Sequence, residues 1–162
     1  MNLNMLFHMQ KELDQRIIRE HSLHTEDLFD KKILAFLVEV GELANETRSF
    51  KYWSKKGASP REVILEEYVD GLHFILSLGI EKGLESIEIE EVKGKPLDTV
   101  SAFFHIFSHA LVYKKEPIQR NYEKLLSNFL LLAEGLGYSY KEIEEAYVAK
   151  NTVNHERQNS GY

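Results

Sequence analysis

Apolar residues recur every three or four positions along most of the chain, which is the spacing of the buried face of an amphipathic helix. The pattern falls into six stretches, which cover residues 3–20, from 28 to near 50, 60–83, 98–116, 118–134 and from 140 onward. Alternation typical of a strand is weak and confined to residues 87–90, inside a stretch that we expect to be a loop. The sequence therefore predicts an all-α fold, a helical bundle of about six helices in one domain over residues 1–162.

Two of the predicted helices begin with a capping signature. Ser59 is followed by Pro60 and then by Glu62, so we expect Ser59 to cap the third helix, with proline at its first position. Ser139 and Glu142 repeat the three-residue spacing at the start of the sixth helix. Both sites predict a reciprocal pair of hydrogen bonds between the cap residue and the glutamate.

Composition limits the possible partners. The 26 acidic and 20 basic residues give a net charge of −6, which argues against non-specific binding to a nucleic-acid backbone. The chain has no cysteine, which excludes disulfides, thiolate metal sites and a cysteine nucleophile. No apolar run approaches the roughly 20 residues that a membrane span needs, and the N-terminus lacks the pattern of a secretory signal. We expect a soluble, cytoplasmic protein without nucleic-acid or membrane partners.

The fourth and fifth predicted helices are more apolar than a surface helix needs to be. Apolar side chains occur on nearly every side of the stretch from 103 to 111. A helix of this kind is normally enclosed by protein. We expect a second subunit, in a homodimer, to cover part of this surface; the alternative is that the long loops cover it.

Acidic residues stand out on the second and third predicted helices. Glu39 and Glu42 form one pair spaced by three residues, and Glu67 and Asp70 form another on the most apolar helix of the N-terminal half. Ionised carboxylates in such surroundings need a compensating positive charge, supplied either by Lys or Arg side chains or by a divalent cation. Mg²⁺ suits the second case, because it prefers carboxylate oxygens and commonly bridges to phosphates.

Other interpretations of the polar residues are weaker. One such acidic pair alone is typical of a solvated helix face, but two pairs within apolar sequence favour a metal site, while Glu46 and Glu66 are ambiguous. The spacing of Asp70 and His73 invites comparison with di-iron bundles, but these contain a second Glu-x-x-His, which this chain lacks. His105 and His109, four residues apart, are more typical of a core or interface pair than of metal ligands.

The C-terminal segment carries cations at helical spacing. Lys150, Asn154 and Arg157 step by four and three residues, so they share a face if the sixth helix continues this far. Lys and Arg can neutralise phosphate oxygens. Alone, this segment is typical of a solvated terminus; beside four carboxylates it favours a site for a metal–triphosphate complex.

Together these residues resemble the dimeric all-α dUTPases, which belong to the all-α nucleoside triphosphate pyrophosphatase superfamily with the MazG-like enzymes. The carboxylate pairs alone would indicate only the superfamily. The matching segments are MQKELD at 9–14, EVGELANE at 39–46, FKYWS at 50–54, EYVDGLHF at 67–74, and then Lys150, Asn151, Asn154, Arg157, Gln158, Gly161 and Tyr162. They follow the family's order over nearly the whole chain.

The resemblance implies roles for individual residues. Glu39, Glu42, Glu67 and Asp70 would hold two or more Mg²⁺ ions around the phosphates, and Glu42 would help to deprotonate the attacking water. The implied substrate contacts are Gln10 and Asp14 at the base, Trp53 at the nucleotide, Phe74 near the base and deoxyribose, and Lys150, Asn154, Arg157 and Tyr162 at the phosphates. Asp14 stands where the resemblance leads us to expect Asn.

The resemblance also implies an activity: hydrolysis of dUTP, and of dUDP, to dUMP, which lowers dUTP and supplies dUMP for thymidylate synthesis. Two alternatives remain at this point. A related pyrophosphatase acting on dCTP or on a modified nucleotide would have the same metal site. A non-enzymatic interaction module could use the fourth and fifth helices, but it leaves Glu67 and Asp70 unexplained.

Overall fold

The computed structural model describes residues 1–86 and 98–161 and confirms the all-α fold class. Within these residues there are six helices, and their order follows the predicted one. They are α1 (Leu3–Glu20), α2 (Phe29–Thr47), α3 (Arg61–Glu81), α4 (Thr99–Lys115), α5 (Gln119–Gly135) and α6 (Tyr140–Asn159). The predicted loop with strand-like alternation at 87–90 lies outside the described residues.

The third helix, α3, lies at the centre of the bundle. It packs against α1, α2, α5 and α6, while α4 packs against α5 and α2. One side of α3 approaches α5 closely at Gly79, where an added Cβ would collide with the hydroxyl oxygen of Tyr122. That hydroxyl donates to the carbonyl of Ile75 at 3.0 Å, so the small residue permits a buried hydrogen bond between the two helices.

The two predicted capping boxes have different outcomes. At α6 the prediction is confirmed, because the Glu142 N–H donates to the Ser139 hydroxyl and the Ser139 N–H donates to the Glu142 carboxylate at 2.8 Å. At α3 it is wrong: Pro60 is the cap residue, and no side chain caps the helix. The Ser59 hydroxyl instead donates to the carboxylate of Glu46, which lowers the pKa of that carboxyl and ties the end of α2 to the start of α3.

One face of α4 remains open among the described residues. Phe104 is 67% exposed, and Leu111 and Val112 are about half exposed. On the adjacent helix α2, Leu34 and Val38 are similarly exposed. The described loops therefore do not cover this apolar surface, and a second subunit stays a prediction. Separately, none of the described helices is both long enough and apolar enough to cross a membrane.

Candidate active site

A cleft of about 520 Å³ lies between α1, α2, α3 and α6. Its volume is within the range of small-molecule sites. Two groups of polar residues mark its ends. We call Glu39 and Asp70, which line the cleft, together with the adjacent Glu67 the carboxylate end, and Gln10, Asp14, His73 and Ser77 the amide end. Ile17, Ala35 and Phe74 contribute apolar lining, and Lys31, Lys32, Asn154 and Arg157 also border the cleft.

The carboxylate end brings together residues from α2 and α3. One oxygen each of Glu39, Glu67 and Asp70 can be chosen so that all three lie within 4.8 Å of one another. Burial, together with the charges of Asp70, Glu42 and Glu67, raises the pKa of Glu39 to about 7. Burial also raises the pKa values of Glu67 and Asp70. A group of acids that resist ionisation together is a place where a cation is favourable.

The structure places the fourth predicted metal ligand differently. Glu42 is exposed and lies outside the group of three. It is still a neighbour, because its charge contributes to the raised pKa values of Glu39 and Glu67. Three of the four predicted carboxylates therefore converge, and Glu42 stands at the solvent side of them.

A lysine from α6 compensates part of this negative charge. The ammonium of Lys150 donates to Asp70 at 2.7 Å and to Glu66 at 2.8 Å, and the side chain is only 12% exposed. Burial alone would lower the pKa of Lys150, but these two hydrogen bonds raise it. Of the two kinds of compensation that the sequence left open, a protein cation thus serves Asp70, and Glu66 belongs to this ion pair.

The amide end is a buried hydrogen-bond network around Gln10, which is 4% exposed. The amide oxygen of Gln10 accepts from the Tyr147 hydroxyl at 2.7 Å and lies 2.7 Å from Nδ1 of His73. The amide nitrogen donates to Asp14 at 2.7 Å. Burial lowers the pKa of His73 to about 3, so the ring is neutral at physiological pH. The His73 ring also stacks on Tyr147, with centroids 4.1 Å apart.

Asp14 connects this network to further donors. Its second oxygen accepts from the Ser77 hydroxyl and lies 3.5 Å from the ammonium of Lys32. Lys32 in turn donates to Glu81 at 2.6 Å. The carboxylate at position 14 is therefore held by two hydrogen bonds and one ion pair, and it borders the cleft.

Sequence reasoning missed three residues of the cleft and its surroundings. Lys32 precedes Glu39 by seven residues, and Ser77 follows Asp70 by seven, so each lies two turns away on the same helix face. Extending the two acidic stripes would have found both. Tyr147, three residues before Lys150, had no comparable signal because it is an aromatic residue in an ordinary core position.

Of the other predicted substrate contacts, some border the cleft and others do not. Asn154 and Arg157 border the cleft from α6, which continues as a helix to Asn159. Trp53 is not in the cleft lining: it is 65% exposed and packs edge-on against Phe50 and Tyr52. Tyr162 lies outside the described residues.

Comparison with known proteins identifies the family. No curated protein matches the chain. A family model described as dUTPase matches residues 2–162, which is almost the whole chain. This match agrees with the all-α fold and with a cleft that has carboxylates at one end and amide hydrogen bonds at the other. The chain belongs to the dUTPase family and is a dUTP diphosphatase.

Proposed function

We propose that the chain hydrolyses dUTP, and also dUDP, in this cleft with Mg²⁺ as its cofactor. The observation that carries the proposal is the convergence of Glu39, Glu67 and Asp70 within 4.8 Å. Three hard oxygen donors suit Mg²⁺. Burial, followed by the negative charges of its acidic neighbours, raises the pKa of Glu39 to about 7, and a divalent cation would relieve that repulsion. The donor set fits a magnesium site, and we propose that two or more ions bind there with Glu42 as a further ligand.

The chemistry divides between the cation and the protein. Bound Mg²⁺ would neutralise phosphate charge and favour attack by water. Glu42 is the group that we assign to accept the proton of that water, because its exposed carboxylate adjoins the three ligands. No covalent intermediate with the protein is needed.

The cations and amides of α6 would hold the phosphates. Asn154 and Arg157 border the cleft and can donate to phosphate oxygens. Lys150 bonds to Asp70 and Glu66, and we propose that it exchanges Asp70 for a phosphate oxygen when the metal–nucleotide complex binds. Tyr162 is proposed as a further phosphate contact.

The amide end would hold the base. Gln10 and Asp14 supply polar groups, and Phe74 supplies an apolar surface next to them. Trp53 is proposed to reach the nucleotide only through a movement of its segment, since it lies away from the cleft lining.

We further propose that a second copy of the chain covers the apolar face of α4 and α2. Exposed Phe104, Leu111 and Leu34 support this, because a patch of this kind usually marks an interface. Sedimentation should give twice the 18.9 kDa of one chain. A monomer at micromolar concentration would contradict the dimer.

The function is tested by measuring pyrophosphate release from dUTP, dCTP and dTTP, with Mg²⁺ or with EDTA. We expect rapid turnover of dUTP that EDTA abolishes, and a loss of about 10³-fold in kcat/KM for Glu39→Gln. Glu12→Gln, on the exposed side of α1, is the matched control and should keep full activity. Turnover in EDTA, or an active Glu39→Gln enzyme, would contradict the proposal, and a preference for dCTP would favour the related pyrophosphatase.

A further inference from the structure

The ion pairs of Lys150 cross the boundary between two cavities. Its ammonium donates to Asp70 at 2.7 Å and to Glu66 at 2.8 Å. Asp70 lines the cleft, whereas Lys150 and Glu66 line a second hollow of about 350 Å³ between α3 and α6. The lysine therefore reaches the carboxylate end from outside the cleft.

The two partners of Lys150 have different surroundings. Asp70 belongs to the group of three converging carboxylates, and its side chain is 22% exposed. Glu66 lies outside that group, and its side chain is 59% exposed. The two acids are four residues apart on α3, so they are neighbours on one helix face. A cation at the carboxylate end would use the first partner of Lys150 and leave the second.

The ammonium of Lys150 and a divalent cation compete for the same negative charge. Burial raises the pKa values of Glu39 and Glu67, and the charge of Lys150 opposes both increases. The lysine thus already neutralises part of the carboxylate end. Because like charges a few ångströms apart repel one another in a protein interior, a cation bound by Asp70 disfavours an ammonium beside it.

The second hollow offers space for the lysine side chain once it leaves Asp70. Its walls are mainly apolar and consist of Leu65, Val69, Ala146, Ala149 and Val153. The aliphatic part of a lysine packs favourably on such walls while its ammonium stays on a polar partner. Glu66 borders the same hollow and is that partner.

We propose that Glu66 is a positioning residue that receives the ammonium of Lys150 when a divalent cation takes Asp70; this inference rests on the proposed function. In the free protein, Lys150 is an internal counter-ion that weakens the affinity for metal alone. When metal binds, Glu66 retains the lysine beside the carboxylate end, where a phosphate oxygen can take it over. Loss of Glu66 makes metal binding less favourable, because the displaced ammonium loses the carboxylate that receives it.

The test measures the affinity for Mn²⁺, a paramagnetic substitute for Mg²⁺, by EPR without nucleotide and hence without turnover. Lys150→Met keeps an unbranched apolar chain but removes the charge, so we expect it to bind Mn²⁺ at least about tenfold more tightly. Glu66→Gln should bind Mn²⁺ about three- to tenfold more weakly. Glu62→Gln, exposed one turn earlier on α3, is the matched control and should change the affinity by less than about twofold.

A double-mutant cycle separates positioning from a general effect of charge. If Glu66 acts by receiving Lys150, adding Glu66→Gln to Lys150→Met should change the Mn²⁺ affinity by less than about twofold. If Glu66 acts only as one more negative charge, its substitution should weaken binding equally with and without Lys150, and the proposal is wrong. Equal Mn²⁺ affinities of Lys150→Met and the unmodified protein would overturn it as well.

NMR of the unmodified protein decides the matter even if a variant fails to fold. On titration with Mg²⁺ alone, the ¹⁵Nζ signal of Lys150 should move together with the carboxylate signal of Glu39. Movement of the Glu39 signal alone would contradict this inference and leave the magnesium site standing, whereas movement of neither signal would contradict both. A protein in which both signals move but which releases no pyrophosphate from dUTP would contradict the proposed activity and support this inference.

Discussion

The two ends of the cleft satisfy their polar groups in opposite ways. At the amide end, Gln10 bonds to both Asp14 and Tyr147, with its amide nitrogen donating to the carboxylate and its amide oxygen accepting from the hydroxyl. At the carboxylate end, Glu39 and Glu67 are like charges in a partly buried place, and their pKa values rise. Among the described residues, the amide end leaves one buried polar atom, Nε2 of His73, without a hydrogen-bond partner, whereas the carboxylate end gathers acids that a cation would neutralise under the proposed function.

Under the proposed function, this difference corresponds to two requirements of the site. Recognition of a base needs groups whose direction is fixed before the ligand arrives, which a buried hydrogen-bond network provides. Binding of a metal–phosphate complex needs unneutralised negative charge, which lowers the stability of the free protein. Changes at the amide end should therefore affect stability and binding together, whereas changes at the carboxylate end should affect activity and stability in opposite directions.

The largest effect is expected from Glu67→Gln. Loss of this ligand should lower kcat/KM for dUTP by about 10³-fold. In EDTA, the same change removes one like charge, so the melting temperature should stay equal or rise. Glu62→Gln, exposed on the same helix, is the control for both measurements. A variant that loses activity because it melts at a clearly lower temperature would break the comparison.

An intermediate effect is expected from Gln10→Leu. This change leaves the Tyr147 hydroxyl and Nδ1 of His73 buried without the hydrogen-bond partner that they share, which costs about 2–4 kcal/mol of unfolding free energy. Urea denaturation measures this loss. Gln15→Leu, at an exposed position of the same helix, should change stability by less than about 0.5 kcal/mol. Equal losses of unfolding free energy in the two variants would show that the hydrogen-bond network around Gln10 does not stabilise the protein.

The smallest expected effect is a change of a few kelvin in melting temperature with pH. Burial and the neighbouring carboxylates raise the pKa of Glu39 from its ordinary value of 4.5 to about 7 in the folded protein. Between these values the unfolded chain releases the proton and the folded chain keeps it, so this group's contribution to stability is present below pH 4.5 and is lost as the pH rises through 7. In EDTA, the melting temperature of Glu39→Gln relative to the unmodified protein should therefore increase from about pH 5 to pH 7.5.

The measurement compares the melting temperatures of two proteins because His73 also makes stability depend on pH. Its lowered pKa of about 3 has the opposite sign, because the unfolded chain binds a proton that the folded chain does not. Its contribution is lost as the pH falls from about 6.5 toward 3, and it is common to both proteins. If the difference in melting temperature between Glu39→Gln and the unmodified protein does not change with pH, the raised pKa of Glu39 is contradicted. Saturating Mg²⁺ should abolish the trend.

The periodicity of the sequence was sufficient to predict the six helices, because amphipathic spacing is a local signal. The sequence also predicted that the carboxylates of Glu39, Glu67 and Asp70 converge, since acids within apolar helices are unusual wherever the helices pack. Local pattern failed at Ser59, where the capping spacing is present but Glu46 offers the hydroxyl a tertiary partner. It also failed for Tyr147, whose partner Gln10 is 137 residues away.

The position of Tyr147 on α6, far along the chain from Gln10, has a consequence for how activity is lost. Tyr147 and Lys150 both lie on α6, so one helix completes both ends of the cleft. Yet few of its side chains are buried, namely Ile143, Tyr147 and Asn151. A segment held by so few apolar contacts can detach in a partial unfolding step that leaves the rest of the bundle intact. Enzymatic inactivation in mild denaturant should therefore precede the loss of helical signal.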